Sequence, residues 1–237
     1  MSLVISNLQK KYDANFILDI SSLTIEDGEL VGLVGNNGAG KTTLLRLMLD
    51  LIEATHGQVV NNGSIVSVSE DWKWWTGSFL DRSFLIDFYT PEEYFGFIAE
   101  VYHIAQDELM SRLAHFLPLM NDEILDKGKI LHDFSMGNRQ KIGIIGAMLV
   151  NPKVLVLDEP FNFLDPTSQH IVANNLQKMH RENGTTIILS SHNLSFVNDI
   201  CTRIILLDKG HILMDHFHKA GDKDVELESY FLHLRND

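Results

Sequence analysis

A glycine-rich segment of the chain has the residue types and spacing of a site for phosphate groups. Residues 35–42 read Gly35-Asn36-Asn37-Gly38-Ala39-Gly40-Lys41-Thr42, which fits the pattern G-x-x-x-x-G-K-[ST]. Glycines allow the backbone to wrap closely around an anion, so that its N–H groups face the phosphates of a nucleotide. Lys41 is expected to reach the β- and γ-phosphates, and the Thr42 hydroxyl is expected to bind Mg²⁺. The segment predicts a nucleotide site.

The residues on either side of this segment supply the elements that the site needs. Leu30–Val34 has the length and branched apolar content of a buried parallel strand. Residues 43–51 carry apolar side chains at helical spacing. A helix that begins directly after the glycines directs its free N–H groups and the positive end of its dipole at the phosphates. The order strand, loop, helix therefore makes the motif specific.

A second buried strand is predicted to end in two carboxylates. The apolar run Val154–Leu157 is followed directly by Asp158 and Glu159. Open α/β sheets bind their ligands at the carboxyl ends of the strands. One carboxylate can hold Mg²⁺, and its neighbour can deprotonate an attacking water. Together with the phosphate segment, this pair indicates nucleotide hydrolysis.

A further anion site is predicted at the start of a helix. Ser135 is a natural N-cap, and Gly137 follows it within Phe134–Gln140. A hydroxyl, free N–H groups and the positive end of the helix dipole suit an anion. An ordinary capped helix has the same residues, so the residues alone leave both interpretations open.

The pattern of apolar residues predicts an α/β fold with a helical insertion. A hairpin-like turn is expected at 27–29, with a strand on each side of it. A second turn is expected at Asn61-Asn62-Gly63, between strands over 59–60 and 65–68. Helices are expected from Pro91 after a capping box, over 105–117, and after Ser135. Beyond 151 strands and helices alternate again. We predict one domain, in which 1–70 and 151–220 form the core, 71–150 the helical part and 221–237 a tail.

Bulk composition limits the class of protein. The 237 residues carry a net charge of −13, which disfavours a broad contact with nucleic acid or anionic lipid. Cys201 is the single cysteine, which agrees with a reducing compartment. No uninterrupted apolar run approaches the length of a membrane span, and the N-terminus does not read as a secretion signal. We therefore expect a cytoplasmic protein.

From Leu3 to Leu213 the chain resembles the ATP-binding cassette family, because several motifs occur in that family's order. Ser135-Met136-Gly137-Asn138 is similar to the L-S-G-G-Q signature, and Asp158-Glu159 to the second nucleotide motif. Phe163-Leu164-Asp165 resembles the D-loop, and His192 the switch histidine. Tyr12 matches the aromatic residue that stacks on adenine, although a tyrosine in this position is also a common packing residue.

The resemblance implies a phosphate-loop ATPase core with a mainly parallel sheet, an N-terminal antiparallel β region and an inserted helical subdomain. It implies ATP and Mg²⁺ as cofactors, with Glu159 as the general base and His192 orienting water and the γ-phosphate. The residues implied to bind ATP are Tyr12, Asn36, Gly38, Ala39, Gly40, Lys41, Thr42 and Thr43, together with Ser135 and Gly137 of a second chain. The residues implied to hold the metal are Thr42, Asp158 and Glu70.

The chain departs from the family pattern at three positions. Met136 replaces the first glycine of the signature, and Asn138 replaces its glutamine. The family's Q-loop glutamine is expected after a strand over 65–68, and Glu70 stands in that register. A carboxylate accepts hydrogen bonds but cannot donate as an amide does. Since branches that look like simple exporters also carry Glu there, the resemblance leans towards export.

An aromatic cluster begins at the same place. Asp71-Trp72-Lys73-Trp74-Trp75 is followed by Phe79, Phe84 and Phe88. Aromatic residues are favoured at interface hot spots, so this segment is a candidate docking surface for a membrane subunit. Ordinary core packing explains the same residues. Both interpretations stay open at this stage.

The most economical expectation is the ATPase subunit of an ABC transporter. Two cassettes, identical or mixed, would sandwich ATP, and separate membrane subunits would hold the chain at the inner face of the cell membrane. The alternative is a non-transport cassette ATPase that acts on ribosomes or nucleic-acid complexes. The negative net charge of the chain disfavours a nucleic-acid partner. A regulatory nucleotide-binding module without turnover is a third possibility, suggested by Met136 and Glu70.

Overall fold

The structure is a computed structural model that describes residues 2–12, 15–217 and 219–221. The described residues divide into two compact units, one formed by those within 1–70 and 186–221 and the other by 71–185. The described elements of the first unit are β1 Leu3–Tyr12, β2 Asn15–Ile25, β3 Leu30–Val34, α1 Lys41–Met48, β4 His56–Asn61, β5 Ser64–Ile65, β8 Thr186–Ser191, α7 Leu194–Ile200, β9 Arg203–Asp208 and β10 His211–Phe217. Those of the second unit are β6 Thr76–Phe79, α2 Pro91–Val101, α3 Gln106–Ala114, α4 Leu117–Met120, α5 Met136–Leu149, β7 Val154–Leu157 and α6 Pro166–Asn183.

An antiparallel sheet in the first unit contains the strands in the order β2-β1-β4-β5. Asn62 and Gly63 join β4 to β5 with φ angles of 51° and 83°, as the predicted hairpin requires. The strand expected over 65–68 is shorter, because β5 covers only Ser64–Ile65. The turn at 27–29 is not a hairpin, since β2 pairs in this sheet and β3 pairs in another.

The second sheet of this unit is mainly parallel. β3 pairs in parallel with both β8 and β9, while β10 runs antiparallel to β9 at the edge. All five residues of β3 are buried, as expected for a central strand. Val34 pairs with Ser191, so the carboxyl ends of β3 and β8 lie side by side. The loops that follow these two strands therefore begin at the same edge.

In the second unit, helix α5 packs against a parallel pair of strands. β6 pairs with β7, and Phe79 lies opposite Leu157. Helix α5 packs against β6 at Gly143, where a β-carbon would lie only 2.0 Å from the Phe79 ring. Helix α2 begins with the predicted capping box between Thr90 and Glu93.

One boundary differs from the sequence prediction. The helix expected over 105–117 is divided into α3 and α4, because Pro118 lacks the N–H that a continuous helix needs. Strand β6, which the sequence pattern did not reveal, pairs with β7, and both strands lie in the compact unit 71–185. The division into a core and a helical part at residue 151 stays a prediction. The proposed tail lies outside the described residues except for Gly221. Among the described residues, no helix combines the length and the apolar character needed to cross a bilayer.

Candidate functional site

The loop between β3 and α1 has the backbone shape that the phosphate motif predicts. Gly35 approaches β9 so closely that a β-carbon would lie 2.2 Å from the carbonyl oxygen of Leu207. Gly40 precedes α1 with φ of 106°, in the left-handed region that favours glycine. The first turn of α1 contains no acidic residue. The helix N-terminus is therefore suited to a negatively charged group.

Lys41 is buried and folded back over this loop. Its side chain is 7% exposed, and Nζ donates to the carbonyl oxygens of Gly35 at 2.7 Å and Asn36 at 3.3 Å. Burial of an ammonium group is costly unless hydrogen bonds compensate, and these carbonyls supply them. The structure thus places a fixed positive charge inside the glycine loop.

His192 lies at the same sheet edge as the phosphate loop in the first unit. It directly follows Ser191, the last residue of β8, and Ser191 pairs with Val34 at the end of β3. The His192 side chain is exposed. Asn193 then caps α7 by accepting from the Ser195 N–H at 3.0 Å. The histidine is therefore held between a strand end and a capped helix, at the same sheet edge as the loop.

Tyr12 lies at the end of β1, in the antiparallel sheet. Its ring is 42% exposed, and Lys10 Nζ lies 5.0 Å from the ring centroid. An exposed aromatic face with a nearby cation can stack on a base.

In the second unit, Asp158 and Glu159 follow the buried strand β7 as predicted. The Asp158 N–H donates to the carbonyl oxygen of Phe79 at 3.0 Å, and its side chain is only 9% exposed. Glu159 has φ of 47°, which is unusual for a residue with a side chain. Backbone strain of this kind is concentrated at functional sites, so the turn after β7 is a candidate for catalysis.

The helix that begins after Ser135 is joined to this turn. Ser135 is the N-cap of α5 and accepts from the Asn138 N–H at 3.2 Å, as its position in the sequence predicts. Gly137 has no room for a side chain, because a β-carbon would lie 2.8 Å from the carbonyl oxygen of Phe163. Gln140 Nε2 donates to the carbonyl oxygen of Glu159 at 3.3 Å. The start of α5 and the turn after β7 are therefore packed together.

The D-loop segment ends in a helix cap. Asp165 accepts from both the N–H and the hydroxyl of Ser168 at the start of α6. These hydrogen bonds favour the charged carboxylate and hold the pKa of Asp165 below its usual range.

The structure corrects the reason for choosing Glu70. That choice required a strand over 65–68, but β5 ends at Ile65 and a turn follows it. The strand that ends beside the acidic pair of the second unit is β6. Asp81 follows β6 by two residues and lines a cavity together with Asp158 and Glu159. Sequence reasoning missed Asp81 because β6 is short and contains Thr, Gly and Ser.

The aromatic cluster after residue 70 separates into two groups. Trp72 and Phe79 are buried, each 4% exposed, so they belong to the core. Trp74, Phe84, Phe88 and Phe97 are 42–72% exposed, and we call them the aromatic surface. Trp74 also stacks on His103 and meets Tyr102 edge to face. The core interpretation thus holds for Trp72 and Phe79, and docking stays a prediction for the exposed residues.

Comparisons with known proteins agree with these features. The family model described as ABC transporter matches residues 18–162. YhcH of Bacillus subtilis (strain 168), an uncharacterized ABC transporter ATP-binding protein, is 32% identical over 236 residues, which are 98% of this chain and 75% of that relative.

Solved structures share the fold over nearly the whole chain. An ATP-binding subunit of an ABC transporter has a TM-score of 0.87 at 25% identity, covering 99% of this chain and 100% of that one. A dimeric ATP-binding cassette in a post-hydrolysis state, bound to ADP and Pi, has a TM-score of 0.81 at 21% identity, covering 92% and 99%. Since the family match, the fold and the ordered motifs agree, the chain belongs to the ABC transporter family and is an ATP-binding, ATP-hydrolysing cassette protein.

Proposed function

We propose that this chain powers transport as one of a head-to-tail pair of cassettes bound to separate membrane subunits. The observation that carries the proposal is the phosphate loop, in which Gly40 precedes a helix N-terminus and buried Lys41 bonds to loop carbonyls. A cation and a helix dipole directed at one small loop form a site for a chain of phosphates. The related cassette with ADP and Pi was solved as a dimer, which supports the pairing.

The residues of the site fit Mg²⁺ and ATP by the chemistry of their donors. Mg²⁺ prefers a few carboxylate or hydroxyl oxygens together with substrate phosphates, and the chain offers Thr42, Asp158 and Asp81. We propose Asp81 in the place first assigned to Glu70. When bound, the metal neutralises charge on the phosphates. Asn36, Gly38, Ala39 and Thr43 would contribute backbone or side-chain donors from the loop and α1, and Tyr12 an aromatic face for the base.

Glu159 is the proposed general base for the hydrolytic water. Its carboxylate would accept the proton of a water in line with the γ-phosphate, while His192 would donate to the phosphate and orient the water. Lys41 would stabilise the charge that develops on the phosphate oxygens. Lys41 and His192 would then act by position and charge, whereas Glu159 would also take up a proton.

Ser135 and Gly137 of the second chain would close the site. Ser135 is exposed at the N-terminus of α5, and Gly137 has no side chain to obstruct a phosphate. Closure would bias the conformation of the membrane subunits, and hydrolysis would remove the bridging charge and reopen the pair. The aromatic surface offers a place for membrane subunits to dock, at the inner face of the cell membrane. The lean towards export rests on Glu70 in the Q-loop register and loses that basis when Asp81 takes the place; uptake into inverted vesicles would measure the direction of transport.

Replacement of Glu159 by Gln tests the assignment. Gln keeps the shape but cannot accept a proton, so Glu159→Gln should lower kcat by at least about 100-fold and trap an ATP-bound dimer on gel filtration. Glu182→Gln is the matched control, because Glu182 is an exposed carboxylate on α6 and should leave both readouts unchanged. Full turnover in Glu159→Gln would refute the proposed base.

A further inference from the structure

Arg82 and Phe163 form a stacked pair beside the catalytic turn. The Arg82 guanidinium carbon lies 4.0 Å from the centroid of the Phe163 ring, a close cation–π contact. Phe163 belongs to the loop that joins Glu159 to α6, whereas Arg82 follows β6. The pair therefore connects the loops that leave two neighbouring parallel strands.

Phe163 occupies a backbone conformation that a large side chain disfavours. Its φ is 66°, in the left-handed region, and the ring is 57% exposed. Solvent exposure alone gives no reason for an aromatic residue in this position. Contacts must hold the loop in this shape, and two are visible: the Arg82 guanidinium lies over the ring, and the Phe163 carbonyl packs on Gly137.

Arg82 is itself held against α5. Its carbonyl oxygen accepts from Arg139 Nη2 at 3.4 Å, and the same Arg139 group forms an ion pair with Asp87. Because Arg139 is on α5, close to Ser135, the segment that carries Arg82 is fixed to the signature helix. This anchoring gives Arg82 a defined position from which to hold Phe163.

The pair also borders the acidic residues. Arg82 and Phe163 line a cavity of about 270 Å³ together with Asp81, Asp158 and Glu159. Arg82 Nη1 is buried and has no hydrogen-bond partner among the described residues. A guanidinium that lines the same cavity as three carboxylates offsets part of their negative charge. Arg82 therefore brings a positive charge to this cavity in addition to its contact with Phe163.

We propose that Arg82 is a positioning residue for ATP hydrolysis, acting through Phe163 to keep the loop after Glu159 in its reactive shape. The proposal rests on the proposed role of Glu159. Loss of the stacked guanidinium would let Phe163 leave its strained conformation, and Glu159, at the start of the same loop, would lose its orientation. The rate of the chemical step would fall, whereas ATP affinity, which depends on the phosphate loop, would not.

Steady-state kinetics test whether Arg82 positions the loop for hydrolysis. Arg82→Gln and Phe163→Leu should each lower kcat by about 10- to 100-fold with KM for ATP changed less than twofold. Arg82→Lys keeps a cation over the ring and should restore most of kcat. Arg181→Gln, which removes an exposed arginine from α6, is the control and should match the wild type. The double variant should be no slower than the slower single variant, since the two residues act as a unit.

Amide hydrogen exchange in the nucleotide-free protein gives a measurement that is independent of ATPase activity. The Asn162 N–H donates to the Glu159 carbonyl at 3.2 Å within this loop. Its exchange should be at least about tenfold faster in Arg82→Gln and in Phe163→Leu, with the unfolding temperature within about 2 °C of the wild type. Wild-type kcat, additive losses in the double variant, or unchanged exchange would each overturn the proposal.

The outcomes separate this inference from the proposed function. If Glu159→Gln is inactive and Arg82→Gln is not impaired, only the role of Arg82 is wrong. If Glu159→Gln retains turnover, the assignment of the general base is wrong. Should Arg82→Gln lack a cooperative unfolding transition, Phe163→Leu decides the question, because wild-type kcat and exchange in that variant contradict the proposal.

Discussion

Asp81 shares a sheet edge with Asp158 and Glu159 because β6 and β7 run parallel in register. Phe79 lies opposite Leu157, so the residues that follow each strand leave it at the same level. Asp81 also accepts from the Ser83 N–H at 2.7 Å, which fixes its side chain at the start of a short turn. A carboxylate held in this way can bind a hard cation or a water. Glu70 has no comparable strand end before it.

Asp81 takes the place of Glu70 in the proposed metal site, so matched variants of these two residues can be compared directly. Asp81→Asn keeps the oxygen that caps the turn but removes the charge, so ATPase activity should fall by about 10-fold or more and require more Mg²⁺ for half-maximal rate. Glu70→Gln makes the same chemical change at an exposed site and should leave the Mg²⁺ dependence unaltered. Steady-state rates across a Mg²⁺ titration measure both effects. A shift in Glu70→Gln without one in Asp81→Asn would restore the original choice.

At the scale of elements, α6 depends on the cap that ends the D-loop segment. Asp165 accepts from the N–H and the hydroxyl of Ser168, and these bonds lower its pKa. Because the folded state prefers the charged form, the stabilisation is complete above the unfolded pKa of about 3.9 and is lost as the pH falls through the lower folded value.

Removal of the cap should therefore have an effect that depends on pH. Asp165→Ala should lower the free energy of unfolding by about 1 kcal/mol at pH 7, because a helix cap is lost. The difference in free energy of unfolding between the wild type and this variant should become smaller below about pH 4, because Asp165 becomes protonated. Asp165→Asn is the control, since Asn also caps helices but does not titrate. Denaturant titrations at pH 7 and pH 3 test this, and an equal gap at both values contradicts it.

Elements with strong local signals were predictable from the sequence. Thr90-Pro91-Glu92-Glu93 predicted the start of α2, and the structure confirms its capping box. Asn62-Gly63 predicted the turn between β4 and β5, because both positions need positive φ. The run Leu30–Val34 predicted β3, since a strand buried on both faces reads as continuous apolar residues.

Elements decided by long-range pairing were not predictable in the same way. β6 has no apolar run, and it exists because it pairs with β7, about 80 residues further along the chain. β10 mixes His, Asp and apolar residues at a sheet edge, where both faces are partly exposed. The same cause explains Asp81 and the Arg82–Phe163 contact, because residues distant in sequence meet only after the strands have paired. The glycine loop and the acids at the end of β7, by contrast, are contiguous in the sequence and could be predicted from it.

At the scale of the whole molecule, the aromatic surface is the proposed docking site for membrane subunits. Trp72 and Trp74 lie in the same short turn, yet one is 4% and the other 58% exposed. Exposed aromatic residues on a soluble surface are typical of sites that contact other proteins. Trp74 is held by Tyr102 and His103, so it is presented in a fixed orientation. A partner that docks here would contact Trp74 in this orientation.

The two tryptophans make a matched pair of variants for the docking proposal. Trp72→Ala should lower the free energy of unfolding by about 3–5 kcal/mol, because it leaves a cavity in the core. Trp74→Ala should lower the free energy of unfolding by at most about 1 kcal/mol, because it removes only the ring contacts with Tyr102 and His103. If the surface docks onto a membrane subunit, tagged Trp74→Ala expressed in the native host should recover far less multi-spanning protein from detergent-solubilised membranes than the wild type. Equal recovery with Trp74→Ala, at normal stability, would show that membrane subunits bind elsewhere on the chain.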